Sequence, residues 1–189
     1  MTALVERVNY NMYCSQIGQD KLVDNFLDFK TNGFFLDVGA HDYRHISNTY
    51  FFEKSRNWKG IAIEMDPQFE KGWISNRLNS IFVLENALKI DYGDLLDKYN
   101  FPRTIDFLSL DLEPPEVTLQ VLFKIFESNI IFNTISFEVD DYRQKETKNK
   151  SRDFLKSKGY HFVSELYDRN NTGMIHVDDF WVNSSIIKK

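Results

Sequence analysis

The sequence has little cysteine, glycine or proline, and it has no long apolar run. A single cysteine, Cys14, excludes an internal disulfide bond and a structural zinc site built from several cysteines. Eight glycines and four prolines among 189 residues argue against flexible linkers and collagen-like repeats. No run approaches the roughly 18 apolar residues of a membrane span, and the first residues lack the apolar core of a signal peptide. We therefore expect a cytoplasmic protein without a membrane span.

The composition suits one folded domain with a mildly acidic charge. The chain carries 28 Asp and Glu against 23 Lys and Arg, for a net charge of −5, and 42% of its residues are hydrophobic. This apolar content predicts one domain over residues 1–189, with a helical segment over about residues 1–32 and a core over about residues 33–189. Because broad nucleic-acid binding needs a basic face, we predict no nucleic-acid partner.

Short β-type runs alternate with longer amphipathic segments along the chain. The predicted strands are 34–38, 60–64, 81–88, 105–110, 134–139, 160–166 and 174–182. The predicted helices are 16–30, 46–56, 67–78, 92–99, 116–127 and 142–158. Repeated strand–helix units predict an α/β fold with a mainly parallel seven-stranded sheet between two layers of helices. The last two strands, joined by turn-forming residues, predict an antiparallel edge.

Polar residues follow the first two predicted strands, where open α/β sheets bind ligands. Asp37 ends the first strand, and Gly39 after it would let the backbone approach a ligand closely. The full Gly-x-Gly-x-x-Gly pattern is absent, which argues against a nicotinamide-dependent oxidoreductase. Glu64 ends the second strand, where its carboxylate could accept hydrogen bonds from both hydroxyls of a ribose. Each such bond to a charged group contributes roughly 1.5–3 kcal/mol.

The third and fourth strands end in residues that extend this pattern. Asn86 and Ala87 could meet the edge of an adenine, although a strand-terminal Asn is also common in turns. Asp111 and Glu113 end a central strand, where acids are costly unless they are used or paired. Together these residues indicate a nucleoside pocket without a phosphate loop. S-adenosylmethionine is such a ligand, and the local acidity suits its positive sulfonium.

Five segments carry patterns of a known family. They are 15–20 (SQIGQD), 35–42 (FLDVGAHD), 47–53 (SNTYFFE), 58–64 (WKGIAIE) and 105–113 (IDFLSLDLE), with weaker matches at 135–138 and 179–182. In combination they resemble the FkbM family of methyltransferases over roughly residues 15–182. The resemblance implies a class I, Rossmann-like fold and S-adenosylmethionine as cofactor. It also implies O-methyl transfer to a hydroxyl of a sugar, glycan or related natural product.

The resemblance also assigns site residues by position. The cofactor contacts it implies are Asp37, Gly39, Ala40, His41, Ser47, Asn48, Thr49, Glu64, Met65, Asn86, Ala87 and Asp111. Asp37 and Gly39 would line the methionine end, Glu64 the ribose, and residues 86–87 the adenine. Segments 15–20 and 47–49 would close over the site.

Two departures from the family pattern leave alternatives open. Tyr43 and the pair Pro114–Pro115 stand where the family usually has glycine, and proline fixes φ and removes a hydrogen-bond donor. Either the loop is reshaped for another acceptor, or activity is reduced. The alternative function is therefore a catalytically inactive module that binds cofactor or recognises a glycan.

A hydroxyl acceptor needs a general base, and the candidates are Asp111 and His41. A divalent metal on Asp111, Glu113 and Glu138 is conceivable, but helix capping and ion pairing also explain these acids, and we predict no metal site. Residues 142–158 hold seven Lys and Arg against two acids. This segment is either a solvated helix face or a surface that attracts an acidic or nucleotide-linked acceptor.

Overall fold

A computed structural model describes residues 13–139, 145–170 and 173–187, which form one seven-stranded sheet flanked by helices. The strands are β1 Phe34–Val38, β2 Lys59–Glu64, β3 Ser80–Leu84, β4 Thr104–Leu110, β5 Ile131–Glu138, β6 Tyr160–Asn170 and β7 Gly173–Asn183. The helices are α1 Gln19–Phe26, α2 Tyr50–Arg56, α3 Glu70–Asn76, α4 Tyr92–Lys98, α5 Pro115–Glu127 and α6 Lys145–Ser157.

The strand order in the sheet is β3-β2-β1-β4-β5-β7-β6. The first five strands pair in parallel, whereas β7 runs antiparallel to both β5 and β6. The predicted α/β fold, with a mainly parallel sheet and antiparallel pairing at one edge, is confirmed. The order reverses between β1 and β4, and such a switch point opens a crevice beyond the carboxyl ends of the two strands.

The alternation of side chains in β1 separates two apolar layers. Leu36 and Val38 pack with buried residues of α4, α5 and α6. Phe35 lies on the opposite face with Phe52 and Trp58, in the layer that also contains α1 and α2. The rings of Phe52 and Trp58 stack with centroids 4.3 Å apart. Since successive strand residues face opposite sides, Asp37 lies on the α2 face of the sheet.

Three predicted elements are shorter in the structure, for local reasons. Helix α1 begins after Gly18, whose φ of +89° is not helical, and ends before a run that includes Asp28 at +53°. Helix α2 begins at Tyr50 rather than at 46, because Ile46 has a φ of +50°. Strand β3 stops at Leu84 because the following residues form a 3₁₀ turn at Ala87–Lys89.

Other predicted boundaries fall partly outside the described residues. Helix α6 begins at Lys145, and residues 142–144 of the predicted helix lie outside the described part of the chain. The same holds for residues 171–172 of the predicted turn and for residues 1–12 of the N-terminal segment. Within the described ranges, every helix is too short or too polar to cross a bilayer.

Helix α1 is fastened to helix α2 by an ion pair whose carboxylate is fully buried. Asp24 accepts hydrogen bonds from Nε and Nη2 of Arg56 at 2.7 and 2.8 Å. The hydroxyl of Tyr13 donates to the same carboxylate at 2.7 Å. Because Val23 on the same helix is fully buried, α1 packs against the apolar layer that contains α2.

Candidate functional site

Gly39 lies where three strand ends meet. Its φ is +82°, and a Cβ at this position would lie 1.7 Å from the carbonyl oxygen of Asp111. The N–H groups of Gly39 and Ala40 both donate to the carbonyl of Ile63, at 3.0 and 3.1 Å. Glycine is therefore required here by the protein's own backbone, since β1, β2 and β4 approach too closely for a side chain.

Glu64 is held at the tip of β2 by three backbone donors. Oε2 accepts the N–H of His41 at 3.0 Å, and Oε1 accepts those of Met65 and Asp66 at 2.7 and 2.8 Å. The carboxylate is thereby fixed in direction and tied to the loop after β1. An ionised carboxylate offers about four lone-pair positions, so roughly one stays open on Oε2 for a ligand hydroxyl.

Asp37 is buried beneath the loop that precedes α2. The hydroxyl of Thr49 donates to its Oδ2 at 2.6 Å, and Ser109, its register partner on β4, also donates to this carboxyl. Burial outweighs these hydrogen bonds and raises the pKa of Asp37 to about 6. Asn48 extends the network, because its Nδ2 donates to the Ser109 hydroxyl oxygen at 3.0 Å. The predicted residues Asp37, Asn48 and Thr49 are thus brought together.

Arg77 anchors the loop between β1 and α2, a role that the sequence does not predict. The guanidinium is fully buried and donates to Glu53 at 2.8 Å, to the carbonyl of Tyr43 at 2.9 Å and to Oγ1 of Thr49 at 3.1 Å. It also lies 4.2 Å from the ring centroid of Trp73. An arginine at the end of an amphipathic helix is ordinarily exposed, so the sequence contains no signal for this role.

The two departures from the family pattern have structural partners. The carbonyl of Tyr43 is the acceptor for Arg77 just described, and its ring packs over Gly72. Pro115 is buried at the first position of α5, where a missing N–H costs little. The hydroxyl of Thr118 donates to the carbonyl of Leu112 at 2.6 Å and closes this turn. Both positions therefore build the loops around the strand ends.

Carboxylates from three strands gather on the other side of Gly39. Asp111 follows β4 and hydrogen-bonds the side chain of Glu138 at the end of β5. Although Asp111 reaches the surface, the surrounding protein desolvates its carboxyl and raises its pKa, and Glu113 adds a like charge. The buried Asp178 on β7 accepts from Ser136 at 2.6 Å. Such crowding favours a proton held within the group.

Segment 15–20 reaches this carboxylate group. Nε2 of Gln19 donates to Oδ2 of Asp178 at 3.1 Å. Within the same segment, the buried Asp20 accepts the backbone N–H groups of Cys14 and Ser15, at 2.6 and 3.1 Å. The segment therefore folds on itself and borders the carboxylate side of the site.

Asn86 and Ala87 lie beside Glu64 but are already committed to local structure. The N–H of Glu85 donates to the carbonyl of Glu64 at 3.0 Å, which places the end of β3 next to β2. Oδ1 of Asn86 accepts the N–H of Leu88 at 2.9 Å and caps the turn. Recognition of an adenine here would therefore use the Asn86 amide donor or the backbone, because the Asn86 oxygen is occupied.

His41 and Met65, like Asp111, are exposed members of the predicted set. His41 has a φ of +45°, and its ring lies 4.1 Å from that of Phe69. Its charge acts on the carboxyl of Asp111, which places the two candidate bases near each other. Met65 is 66% exposed at the tip of β2. Ser47 instead is buried, and its oxygen accepts the N–H of Tyr50 at the start of α2.

Three cations of the basic helix α6 form ion pairs with neighbouring acids. Nζ of Lys148 lies 3.3 Å from Glu165, and Lys150 pairs with Glu146 at 2.7 Å. Arg152 binds both oxygens of Asp179, at 2.6 and 2.7 Å, and Glu165 at 2.7 Å. Three of the seven cations in residues 142–158 are thus paired with acids and form part of an ion-paired helix face. Arg143, which the sequence places in this segment, lies outside the described residues.

Among the described residues, Glu165, His176 and Asp179 come close enough together to hold a metal ion. The guanidinium of Arg152 already occupies both of these carboxylates. A cation bound there would have to displace a bidentate charge-assisted pair, so the cluster functions as an ion pair.

A shallow groove of about 400 Å³ lies beside the β1–α2 loop, lined by Cys14 and residues 42–46. Arg44 and His45 both line it and are exposed. Their backbone N–H groups bind Oδ1 of Asp42, at 2.9 and 2.6 Å, which fixes the loop in place. The groove therefore offers the guanidinium of Arg44 and the imidazole of His45 next to the carboxyl end of β1.

The fold is shared with methyltransferases of known structure. A 1,6-didemethyltoxoflavin N1-methyltransferase from Burkholderia thailandensis, with bound S-adenosylhomocysteine, has a TM-score of 0.59 and 15% identity; the match covers 93% of this chain and 80% of that one. A putative rRNA methylase from Clostridium thermocellum has a TM-score of 0.56 and 16% identity, covering 89% and 96%. Aeropyrum pernix fibrillarin, in complex with S-adenosyl-L-methionine, has a TM-score of 0.59 and 14% identity; the match covers 91% of this chain and 76% of that one.

These likenesses establish the Rossmann-like methyltransferase fold. No family model and no curated protein matches the sequence, so the resemblance to the FkbM family stays a prediction.

Proposed function

We propose that this protein is an S-adenosylmethionine-dependent methyltransferase. The observation that supports it best is Glu64, whose carboxylate three backbone N–H groups fix beside the Gly39 loop with room for a ligand hydroxyl. This carboxylate lies at the carboxyl end of β2, the strand next to the switch point between β1 and β4, where a fixed acceptor suits a ribose. The absence of a Gly-x-Gly-x-x-Gly loop argues against a dinucleotide, whose pyrophosphate needs such a loop.

The residues along the strand ends fit the parts of this cofactor in order. Adenine would lie near Asn86 and Ala87, the ribose on Glu64, and the methionine end between β1 and β4. The sulfonium would then lie towards Asp111, whose neighbouring carboxylates suit a positive charge. When bound, the cofactor supplies an electrophilic methyl group. The protein's contribution is to align the acceptor oxygen with that methyl, which supplies roughly 7–11 kcal/mol in favourable cases.

We propose a hydroxyl of a sugar, glycan or related natural product as the acceptor, as the FkbM resemblance implies. The new bond joins the acceptor oxygen to the methyl carbon, the sulfur–methyl bond breaks, and the hydroxyl proton passes to a base. Asp111 and His41 are the candidate bases. Because Lys148, Lys150 and Arg152 of α6 are paired with acids, we place an acidic or nucleotide-linked part of the acceptor in the groove beside Arg44 and His45.

Calorimetry with S-adenosylhomocysteine tests the cofactor assignment. We expect the wild type to bind it, and we expect Glu64→Ala to weaken binding at least tenfold, because the ribose hydroxyl loses a charged acceptor. Glu64→Gln is the matched control for shape, and NAD is the control ligand. Preference for NAD over S-adenosylhomocysteine would refute the proposed function. Binding unaffected by Glu64→Ala would refute only the ribose assignment.

Turnover separates the acceptor alternatives. Incubation with S-adenosylmethionine and a panel of sugars and nucleotide sugars is expected to yield O-methylated product. Cofactor binding without methylation of any panel member would favour the inactive-module alternative. Since one of the similar folds belongs to a putative rRNA methylase, RNA is a necessary second panel. With a net charge of −5 we expect no RNA binding at physiological salt.

A further inference from the structure

Asn48 carries a buried acceptor atom that the described residues leave unsatisfied. Its side-chain oxygen, Oδ1, is fully buried and makes no hydrogen bond within the described part of the chain. Buried polar side-chain atoms are nearly always hydrogen-bonded in folded proteins. The residue as a whole is only partly buried, so part of Asn48 reaches the protein surface. A buried acceptor in this position is expected to receive a hydrogen bond from a donor outside the described residues.

The neighbouring hydrogen bonds determine which end of the amide is the oxygen. Nδ2 of Asn48 lies 3.0 Å from the hydroxyl oxygen of Ser109. If the amide were reversed, Ser109 would have to donate its hydroxyl proton to Asn48. The hydroxyl proton of Ser109 already takes part in a hydrogen bond to Asp37. An ionised carboxylate has no proton to donate, so Ser109 must be the donor in that bond. The unsatisfied atom is therefore the acceptor oxygen.

The rest of the network leaves no donor to turn towards Asn48. Thr49 donates its hydroxyl proton to Asp37 at 2.6 Å. The same hydroxyl oxygen accepts a hydrogen bond from Nη2 of the buried Arg77 at 3.1 Å, which fixes the orientation of the Thr49 hydroxyl. Asp37, Ser109 and Thr49 are thus satisfied by one another, and the deficit is confined to Oδ1 of Asn48.

We propose that Oδ1 of Asn48 accepts a hydrogen bond from the α-ammonium group of S-adenosylmethionine. The inference rests on the proposed function and adds the chemical group that this residue recognises. Asn48 bonds to β4 and, through Ser109, to β1, so it lies at the end of the site opposite Asn86 and Ala87. With the adenine and ribose over β3 and β2, the amino-acid end of the cofactor extends to β1 and β4. The α-ammonium is the hydrogen-bond donor at that end.

A pair of ligands that differ only at the amine tests this inference. The first is S-adenosylhomocysteine, and the second is the same thioether with hydrogen in place of the α-amino group. By calorimetry we expect wild type to prefer the amine at least tenfold, in line with a hydrogen bond to a charged group. Asn48→Leu should reduce this preference to less than about threefold, because it removes the acceptor while keeping a similar volume. Asn48→Asp keeps an acceptor oxygen and should keep the preference.

Controls separate this inference from the proposed function. Glu64→Ala should weaken both ligands equally, because both contain the ribose. The smaller Asn48→Ala replaces Asn48→Leu if the latter does not fold, as judged by circular dichroism. An unchanged preference in Asn48→Leu, or in Asn48→Ala where it replaces that variant, would overturn the inference and assign Oδ1 to an internal water. An equal loss for both ligands in that variant would overturn it as well. Failure of wild type to bind either ligand would overturn the proposed function as well.

Discussion

Gly39 and Gly18 have nearly the same backbone conformation but very different surroundings. Their φ values are +82° and +89°, in the left-handed region that side chains disfavour. A Cβ on Gly39 would collide with the carbonyl of Asp111, whereas a Cβ on Gly18 would find no atom within 4 Å. The pair therefore separates the cost of backbone conformation from the cost of a close approach between strand ends.

We expect Gly39→Ala to destabilise the protein well beyond Gly18→Ala. The left-handed conformation alone costs about 1–2 kcal/mol, which both variants bear. The collision at Gly39 should add at least about 2 kcal/mol to the loss in free energy of unfolding. Urea unfolding of both variants measures the difference. Equal losses would show that the strand ends can separate to admit a methyl group.

Predictability from sequence differs between single residues of the site. Asp37, Glu64 and Asp111 were predictable, because each ends an apolar run and acids at strand ends share one edge of a parallel sheet. Their partners were not. Asp37 is satisfied by Thr49 and Ser109, which lie 12 and 72 positions away in sequence, and Arg77 enters from α3. Pairings of that kind depend on tertiary packing, which local patterns do not record.

At the scale of elements, the apolar strands were predicted better than the helix starts. The apolar runs of β1, β2 and β4 determine their positions to within a residue or two. The local hydrophobic pattern predicts that α2 begins four residues earlier than it does. Residues 46–49 are amphipathic in sequence, but they belong to a loop that Arg77 holds through hydrogen bonds. Side-chain hydrogen bonds from a distant helix therefore decided the boundary, against the local hydrophobic pattern.

Arg77 follows α3 and contacts both α2 and the loop before α2, so its removal should weaken the packing of all three. Arg77→Met leaves Glu53 buried with a single remaining cation, Lys54, and should cost about 3 kcal/mol in free energy of unfolding. Urea unfolding measures the loss. Combining it with Glu53→Gln should recover part of the stability, because the buried charge is then removed. A loss below about 1 kcal/mol would show that the buried pair is not a structural support.

Across the whole molecule, the acids on one edge predict an unusual pH profile of stability. Burial raises the pKa of Asp37 to about 6, and burial together with Asp111 raises that of Asp178 to about 7. The folded state therefore holds protons that the unfolded chain releases near pH 4. Stability from these groups is complete at low pH and is lost as the pH rises from about 4 to about 7.

Asp178→Asn tests this profile. The amide oxygen can still accept from Ser136 and Gln19, but it cannot ionise beside Asp111 and Asp179. Urea unfolding is measured at about pH 4.5, 6 and 7.5, which spans the shifted pKa range. The free energy of unfolding of the wild type should fall across this series, and Asp178→Asn should reduce that fall by at least about 1 kcal/mol. Asp153→Asn, an exposed acid on α6, is the control and should leave the decline unchanged. Parallel wild-type and Asp178→Asn curves would contradict the assignment.

Strand β7 has a consequence for the order in which the protein can assemble during synthesis. It is the last strand in sequence, yet it lies between β5 and β6. A nascent chain that has emerged only as far as β6 lacks the strand that joins β6 to the rest of the sheet. It also lacks Asp178, with which Ser136 and Gln19 form hydrogen bonds. One edge of the proposed cofactor site is therefore incomplete until β7 has been synthesised, so the complete site forms only after β7 has emerged.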